Sequence, residues 1–108
     1  MRQIHMATTS GGAKITHGSL GFSMKDPALR NGNFVDVMML EGMDSDSAAY
    51  KEEFFGPVFN LFKADSSKEA LDLANKSDYG LSSTIFTEDI EKAYGAAQRL
   101  RTGSVFVN

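Results

Sequence analysis

VFNLFK (residues 58–63), SSKEALDLANKSDYG (66–80), LSSTIFT (81–87), EDIEKAYGAAQRLRTG (88–103) and SVFV (104–107) follow one another in the second half of the chain, and their alternation decides the fold class. The first run has apolar residues in both phases, Phe59 and Leu61 in one and Val58 and Phe62 in the other, which predicts a strand buried on both faces. Ser66 then opens a helix. Its hydroxyl can accept from the backbone N–H of Glu69, whose carboxylate can reach back to form a capping box. Ala70, Leu71, Leu73 and Ala74 supply an apolar face, and the turn residues of 75–80 close the helix. Residues 81–87 are a second β-like run. Thr87 is expected to cap the next helix, with Glu88, Asp89 and Glu91 placing acid at its positive end. Ile90, Ala93, Tyr94, Ala97 and Leu100 recur at helical spacing. Arg99 and Arg101 sit at the negative end, and Gly103 is assigned to the C′ position. Residues 104–107 are the last strand. Strand, helix, strand, helix, strand is the pattern of two βαβ crossovers. It predicts an α/β fold with a parallel or mostly parallel sheet flanked by helices, its three strands being neighbours.

Upstream the signals are shorter. Residues 1–10 make a helical turn or two with Ile4 on the apolar face, and Gly11-Gly12 ends it. Residues 13–17 read as a short strand. Residues 18–33 are rich in Gly, Ser and Asn and contain Pro27, which predicts a loop or long connection. Residues 34–40 are a strand dense in Val, Met and Phe, and in 44–50 Ser45 or Asp46 can cap a short helix. A sheet of parallel strands needs cover on both faces. Two good helices and a weak third leave one face under-covered, which points to partner material outside these residues.

The 108 residues are 42% hydrophobic and 23% charged, ordinary values for a soluble globular domain. The net charge of -3 comes without a basic stripe, so nothing points to nucleic acid. No apolar run approaches the roughly 20 residues that span a bilayer, and residues 1–10 lack the pattern of an export signal. The expected compartment is the cytoplasm. The chain has no cysteine, so a disulfide, a cysteine metal site and a cysteine nucleophile are all excluded within it.

Little else carries chemistry. Gly11-Gly12 and the Gly18, Gly21 pair lack the strand-to-helix context of a dinucleotide phosphate loop. His5 and His17 read as surface or packed residues. Asp44 and Asp46 lack the Gly and distal Glu of a calcium loop and read as helix-capping groups, so no metal site is expected. The unusual stretch is KEEFFGPV (51–58), where two carboxylates abut two aromatics ahead of a Gly-Pro turn and a strand. Gly56 permits a tight path and Pro57 fixes φ where the strand begins. One reading is structural: a charged helix end, a Phe pair into the core and a turn. The other holds an acidic side chain beside an aromatic plate facing a cleft. A carboxylate can accept from both hydroxyls of a ribose, while a Phe ring packs on a planar ligand.

Glu53-Phe54-Phe55-Gly56-Pro57 resembles the E-x-F-G-P signature of the aldehyde dehydrogenase superfamily, and the similarity extends in order along nearly the whole chain. Gly12-Ala13-Lys14 and Gly32-Asn33-Phe34 resemble the segment that precedes the signature. Residues 70–75 resemble the family's E-A-x-x-x-A-N helix. Tyr79-Gly80-Leu81-Ser82 with Ile85-Phe86-Thr87 resembles its Y-G-L-S/A and V-F-T run, and residues 102–108 its G-x-V/I-x-V/I-N strand. The flavour is that of the succinate-semialdehyde type. The resemblance implies that residues 1–108 are one incomplete domain, the later part of the family's catalytic α/β domain. It also implies a longer enzyme with a Rossmann-like cofactor domain and an oligomerisation arm. In that family a cysteine thiolate attacks the aldehyde, hydride passes to NAD or NADP, and water activated by a glutamate releases the acid. The cysteine, that glutamate and the oxyanion-stabilising Asn all correspond to positions upstream, so no catalytic residue carries over. By position Glu53 resembles the glutamate that binds the nicotinamide ribose and Phe55 the aromatic beside the nicotinamide. Both ends of the chain fall inside the family's pattern. The expected partners are therefore the remainder of its own full-length chain and, in the parent enzyme, further copies in a homo-oligomer. The segment alone is expected to be inactive. The alternative is a non-catalytic interaction or oligomerisation module derived from the same fold.

Overall fold

The computed structural model describes residues 2–19 and 27–108, so Met1 and the part of the expected loop at 20–26 lie outside the described residues. The chain divides into two compact units, residues 1–62 and 63–108.

The first unit carries α1 (Arg2–Thr9), β1 (Lys14–His17), β2 (Met38–Glu41), α2 (Ala48–Lys51) and β3 (Val58–Leu61). Its sheet has the order β1-β2-β3, with β1 antiparallel and β3 parallel to β2. The register sets Met38 beside Val58, Leu40 beside Asn60 and Ile15 beside Leu40. Residues paired in this way point to the same face. On that face Met38 and Leu40, each 1% exposed, meet Ile4 and Ala7 of α1, Ala49 of α2, Ala13 and Met43. Ile15, Tyr50, Phe54, Val58 and Phe62 close around them, Tyr50 and Phe62 edge to face with centroids 5.2 Å apart. Each fully buried Met or Leu contributes about 1.5–3 kcal/mol.

Three expectations change here. The strand expected at 34–40 is limited to Met38–Glu41. The short helix is capped by Ser47, whose hydroxyl accepts from the Tyr50 N–H, while Asp44 accepts from the Asp46 N–H one turn earlier. The third concerns β3, which is not buried on both faces: Phe59 is 61% and Leu61 43% exposed. They pair with Met39 and Glu41, on the face opposite the α1–α2 core.

The second unit carries α3 (Ser67–Asn75), β4 (Ser82–Ile85), α4 (Ile90–Arg99) and β5 (Ser104–Val107). β4 and β5 pair in parallel as a two-stranded sheet, with α4 as the crossover between them. Of the three strands expected to neighbour one another, only β4 and β5 do; β3 is hydrogen-bonded in the separate β1-β2-β3 sheet. Alternation of strand and helix specifies a crossover, but not which earlier strand it returns to. The Ser66 half of the expected capping box is present, its hydroxyl accepting from the Glu69 N–H, while the Glu69 carboxylate reaches back one residue further and accepts from the Asp65 N–H at 2.8 Å. The cap of α4 is Asp89, accepting from the Glu91 and Lys92 N–H groups, and not Thr87, whose hydroxyl accepts from the Asp89 N–H. The backbone N–H and the ammonium of Lys92 together hold the Asp89 carboxyl below its ordinary pKa. The Lys68 ammonium does the same for Asp72. Gly103 is not a C′ residue, since α4 ends at Leu100 in extended conformation and the Gly103 N–H donates to the Gly80 carbonyl.

Two side-chain amides tie this unit together. Asn75 donates to the Arg99 carbonyl at 2.9 Å and accepts from the Arg101 N–H at 2.8 Å. Asn108 likewise accepts from the Thr87 N–H and donates to the Thr87 carbonyl. Apolar burial is sparse: Ala93 is buried, whereas Leu81, Phe86, Ile90, Tyr94 and Phe106 are exposed. No helix among the described residues is long and apolar enough to cross a membrane.

Candidate functional site

The loop from Glu52 to Val58 joins α2 to β3, and short hydrogen bonds shape it. The helix is left at Glu52, whose backbone is extended. The Gly56 N–H donates to the Phe54 carbonyl at 2.9 Å and the Val58 N–H to the Gly56 carbonyl at 2.8 Å. Each spans three residues, as γ-turns do, and the second is centred on Pro57, whose ring already holds φ near the value such a turn needs. The Met38 N–H donates to the Pro57 carbonyl at 2.9 Å and anchors the loop's end to β2. At its start the Gln3 side-chain amide donates to the Glu53 carbonyl at 3.2 Å.

Phe54 and Phe55 part company on this loop. Phe54 is half-buried against the first unit's core, while Phe55 is 92% exposed. The pair is thus divided between the two readings that the sequence allows: one ring holds the loop down and the other is presented outward. Glu53 is exposed as well, and its carboxylate has no side-chain partner among the described residues. A cavity of about 90 Å³ opens beside them, lined by Gln3, Ile4, Val35 and residues 54–58. Gly56 is not forced by sterics: its φ is not positive and a Cβ there would meet nothing within 4 Å. The tight path comes from Pro57 and the two turn bonds.

The other candidates stay apart from this loop. His5 lies exposed on α1, where its carbonyl accepts from the hydroxyls of Thr8 and Thr9, and His17 is exposed on β1. Asp44 is engaged in the turn before α2. Among the described residues no three His, Asp or Glu side chains converge on a point. The second unit holds a larger apolar groove, about 710 Å³, between α3, β4 and α4. It contains none of the residues singled out for chemistry; Lys92 and Arg99 are its charged members. Gln3 has no signal in the sequence, because its partner lies 50 residues away.

The first unit thus presents an acid and an aromatic outward on a proline turn, and the relatives supply the family. The family model of the aldehyde dehydrogenases matches residues 1–108. 4-Trimethylaminobutyraldehyde dehydrogenase B of Danio rerio is 35% identical over all 108 residues, which correspond to 21% of that protein. Betaine aldehyde dehydrogenase of Bacillus subtilis is 39% identical over 90% of this chain and 19% of its own length. Succinic semialdehyde dehydrogenase of Streptococcus pyogenes, solved with NADP+, superposes with a TM-score of 0.82 at 36% identity, covering 98% of this chain and 22% of that one. Betaine aldehyde dehydrogenase of Staphylococcus aureus, solved with NAD+, gives a TM-score of 0.85 at 32% identity, covering 97% of this chain and 21% of that one. The chain belongs to the aldehyde dehydrogenase family, and it spans about a fifth of the length of the curated relatives it matches.

Proposed function

We propose that these residues serve as the later part of the catalytic domain of a longer NAD- or NADP-dependent aldehyde dehydrogenase, where Glu53 and Phe55 meet the nicotinamide-ribose end of the cofactor. One observation carries this reading: the loop is pinned at both ends while its carboxylate and one ring face outward. The donor set fits that end of a dinucleotide. An ionised carboxylate only accepts, so Glu53 suits the two donors of a ribose diol, and the Phe55 face suits a planar ring. The phosphates must be held elsewhere, because a glycine-rich strand-to-helix loop is absent from the sequence. When bound, the cofactor supplies a hydride acceptor. The role of these residues is to fix where its ribose sits.

On this reading the segment is inactive by itself, since it has no thiol to attack an aldehyde. The enzyme oxidises an aldehyde to a carboxylic acid and works as a cytoplasmic homo-oligomer. Succinate semialdehyde, betaine aldehyde and 4-trimethylaminobutyraldehyde are the substrates to compare, because the first carries an anion and the others a cation. The alternative, a non-catalytic interaction module, draws on the exposed Leu81, Phe86, Ile90 and Tyr94. The length of the coding frame around this segment separates the two.

The decisive experiment is Glu53→Gln in the full-length enzyme. Cofactor affinity is expected to weaken, or hydride transfer or cofactor release to slow, with folding intact. Cofactor kinetics identical to those of the unaltered enzyme would refute the assignment.

A further inference from the structure

Resting on that reading of Glu53, we infer that Gln3 is a positioning residue for the cofactor contact, acting by holding the Glu53 peptide in place. The loop has separate anchors. Its far end is fixed by the Met38 N–H on the Pro57 carbonyl and its middle by Phe54 packed against the core. Its near end is tied by the Gln3 amide on the Glu53 carbonyl. α1 is a firm base for that tether, because Ile4 beside Gln3 is 3% exposed and Ala7 is fully buried. Gln3 itself is half-buried and lines the same small cavity as Phe55 and Pro57.

Holding the Glu53 carbonyl has a direct geometric consequence. The peptide between Glu53 and Phe54 is a planar unit, so a hydrogen bond to its oxygen restrains its rotation as a whole and narrows the backbone freedom on which the Glu53 side chain is mounted. With the tether gone, the stretch between the end of α2 and Phe54 can rotate, and the carboxylate must be ordered at the moment of binding. Ordering costs of that kind come out of affinity.

The test uses the full-length enzyme with Gln3→Met, which keeps the side chain's length and loses the donor, and Gln3→Arg, which restores N–H donors. Cofactor dissociation constants come from titration of reduced cofactor fluorescence. Amide hydrogen exchange of residues 53–58 is followed in the cofactor-free enzyme. Gln3→Met is expected to weaken cofactor binding about two- to tenfold, the range of one hydrogen bond. Loop exchange should quicken, with aldehyde KM and melting temperature unchanged, and Gln3→Arg should restore both readouts. Unchanged affinity and exchange in Gln3→Met, while Glu53→Gln impairs binding, would overturn the role of Gln3 alone. Failure of Gln3→Arg to rescue would do the same. Unchanged binding in Glu53→Gln would instead overturn the underlying assignment.

Discussion

Asn75 offers the most quantitative test of how the second unit is held together. Its amide spans the chain on either side of Leu100, donating to the Arg99 carbonyl and accepting from the Arg101 N–H. A carbonyl can only accept and an N–H only donate, so the amide has one orientation and both of its ends are used. Asn75→Ala removes both bonds. At about 0.5–1.5 kcal/mol net for each, the loss is about 1–3 kcal/mol, which corresponds to roughly 5- to 150-fold in an opening equilibrium. Asn75→Asp keeps the acceptor for Arg101 but turns an anionic oxygen towards the Arg99 carbonyl, so it should recover only part of the loss. Amide hydrogen exchange reads the effect residue by residue, and local opening need not involve the whole chain. Protection of the Arg101 N–H and of the β4–β5 amides should fall by that factor, with the amides of β1 and β2 as the internal control. Equal protection of Arg101 in Asn75→Ala and the unaltered chain would refute the reasoning.

Gly18→Ala and Gly12→Ala should separate backbone conformation from crowding. Both glycines have positive φ, but a Cβ at Gly18 would collide with the Val37 carbonyl oxygen, while one at Gly12 meets only the Gly42 oxygen at 3.9 Å. A loss of about 1–2 kcal/mol is expected at Gly12 and about 2–5 kcal/mol at Gly18, read as reduced amide protection in β1 and β2; equal losses would count against it. Asp89 should give a pH signature. Its folded pKa lies below the unfolded value, so its capping contribution is complete above the ordinary aspartate range and is lost as pH falls through the folded pKa. Carboxyl NMR should place its titration below that of an exposed aspartate, and Asp89→Asn should flatten the acid loosening of α4; titration at the ordinary value would contradict the cap. Glu53→Gln should disturb cofactor handling in the full-length enzyme without unfolding it.

Several features were open to reading because they are local. Ser66 and Glu69 stand only three positions apart and the bond between them depends on residue type, so the start of α3 could be placed from the letters. Helical spacing located α4, but choosing between Thr87 and Asp89 as its cap needed the backbone, because either side chain can accept in the first turn. The run Glu53 to Pro57, with its neighbouring motifs in order, carries the family signature in the sequence itself.

By itself, then, the sequence determined the α/β alternation, the start of α3 and the family, all of which depend on groups a few residues apart or on the order of motifs. Only the tertiary structure decided that β3 pairs with β2, that Phe54 turns inward while Phe55 turns out, and that Asn75, Asn108 and Gln3 are tethers. The physical reason is range. Each of these amides finds its partner 21 to 50 residues away, and nothing in the local sequence names a partner that packing alone brings within hydrogen-bond distance.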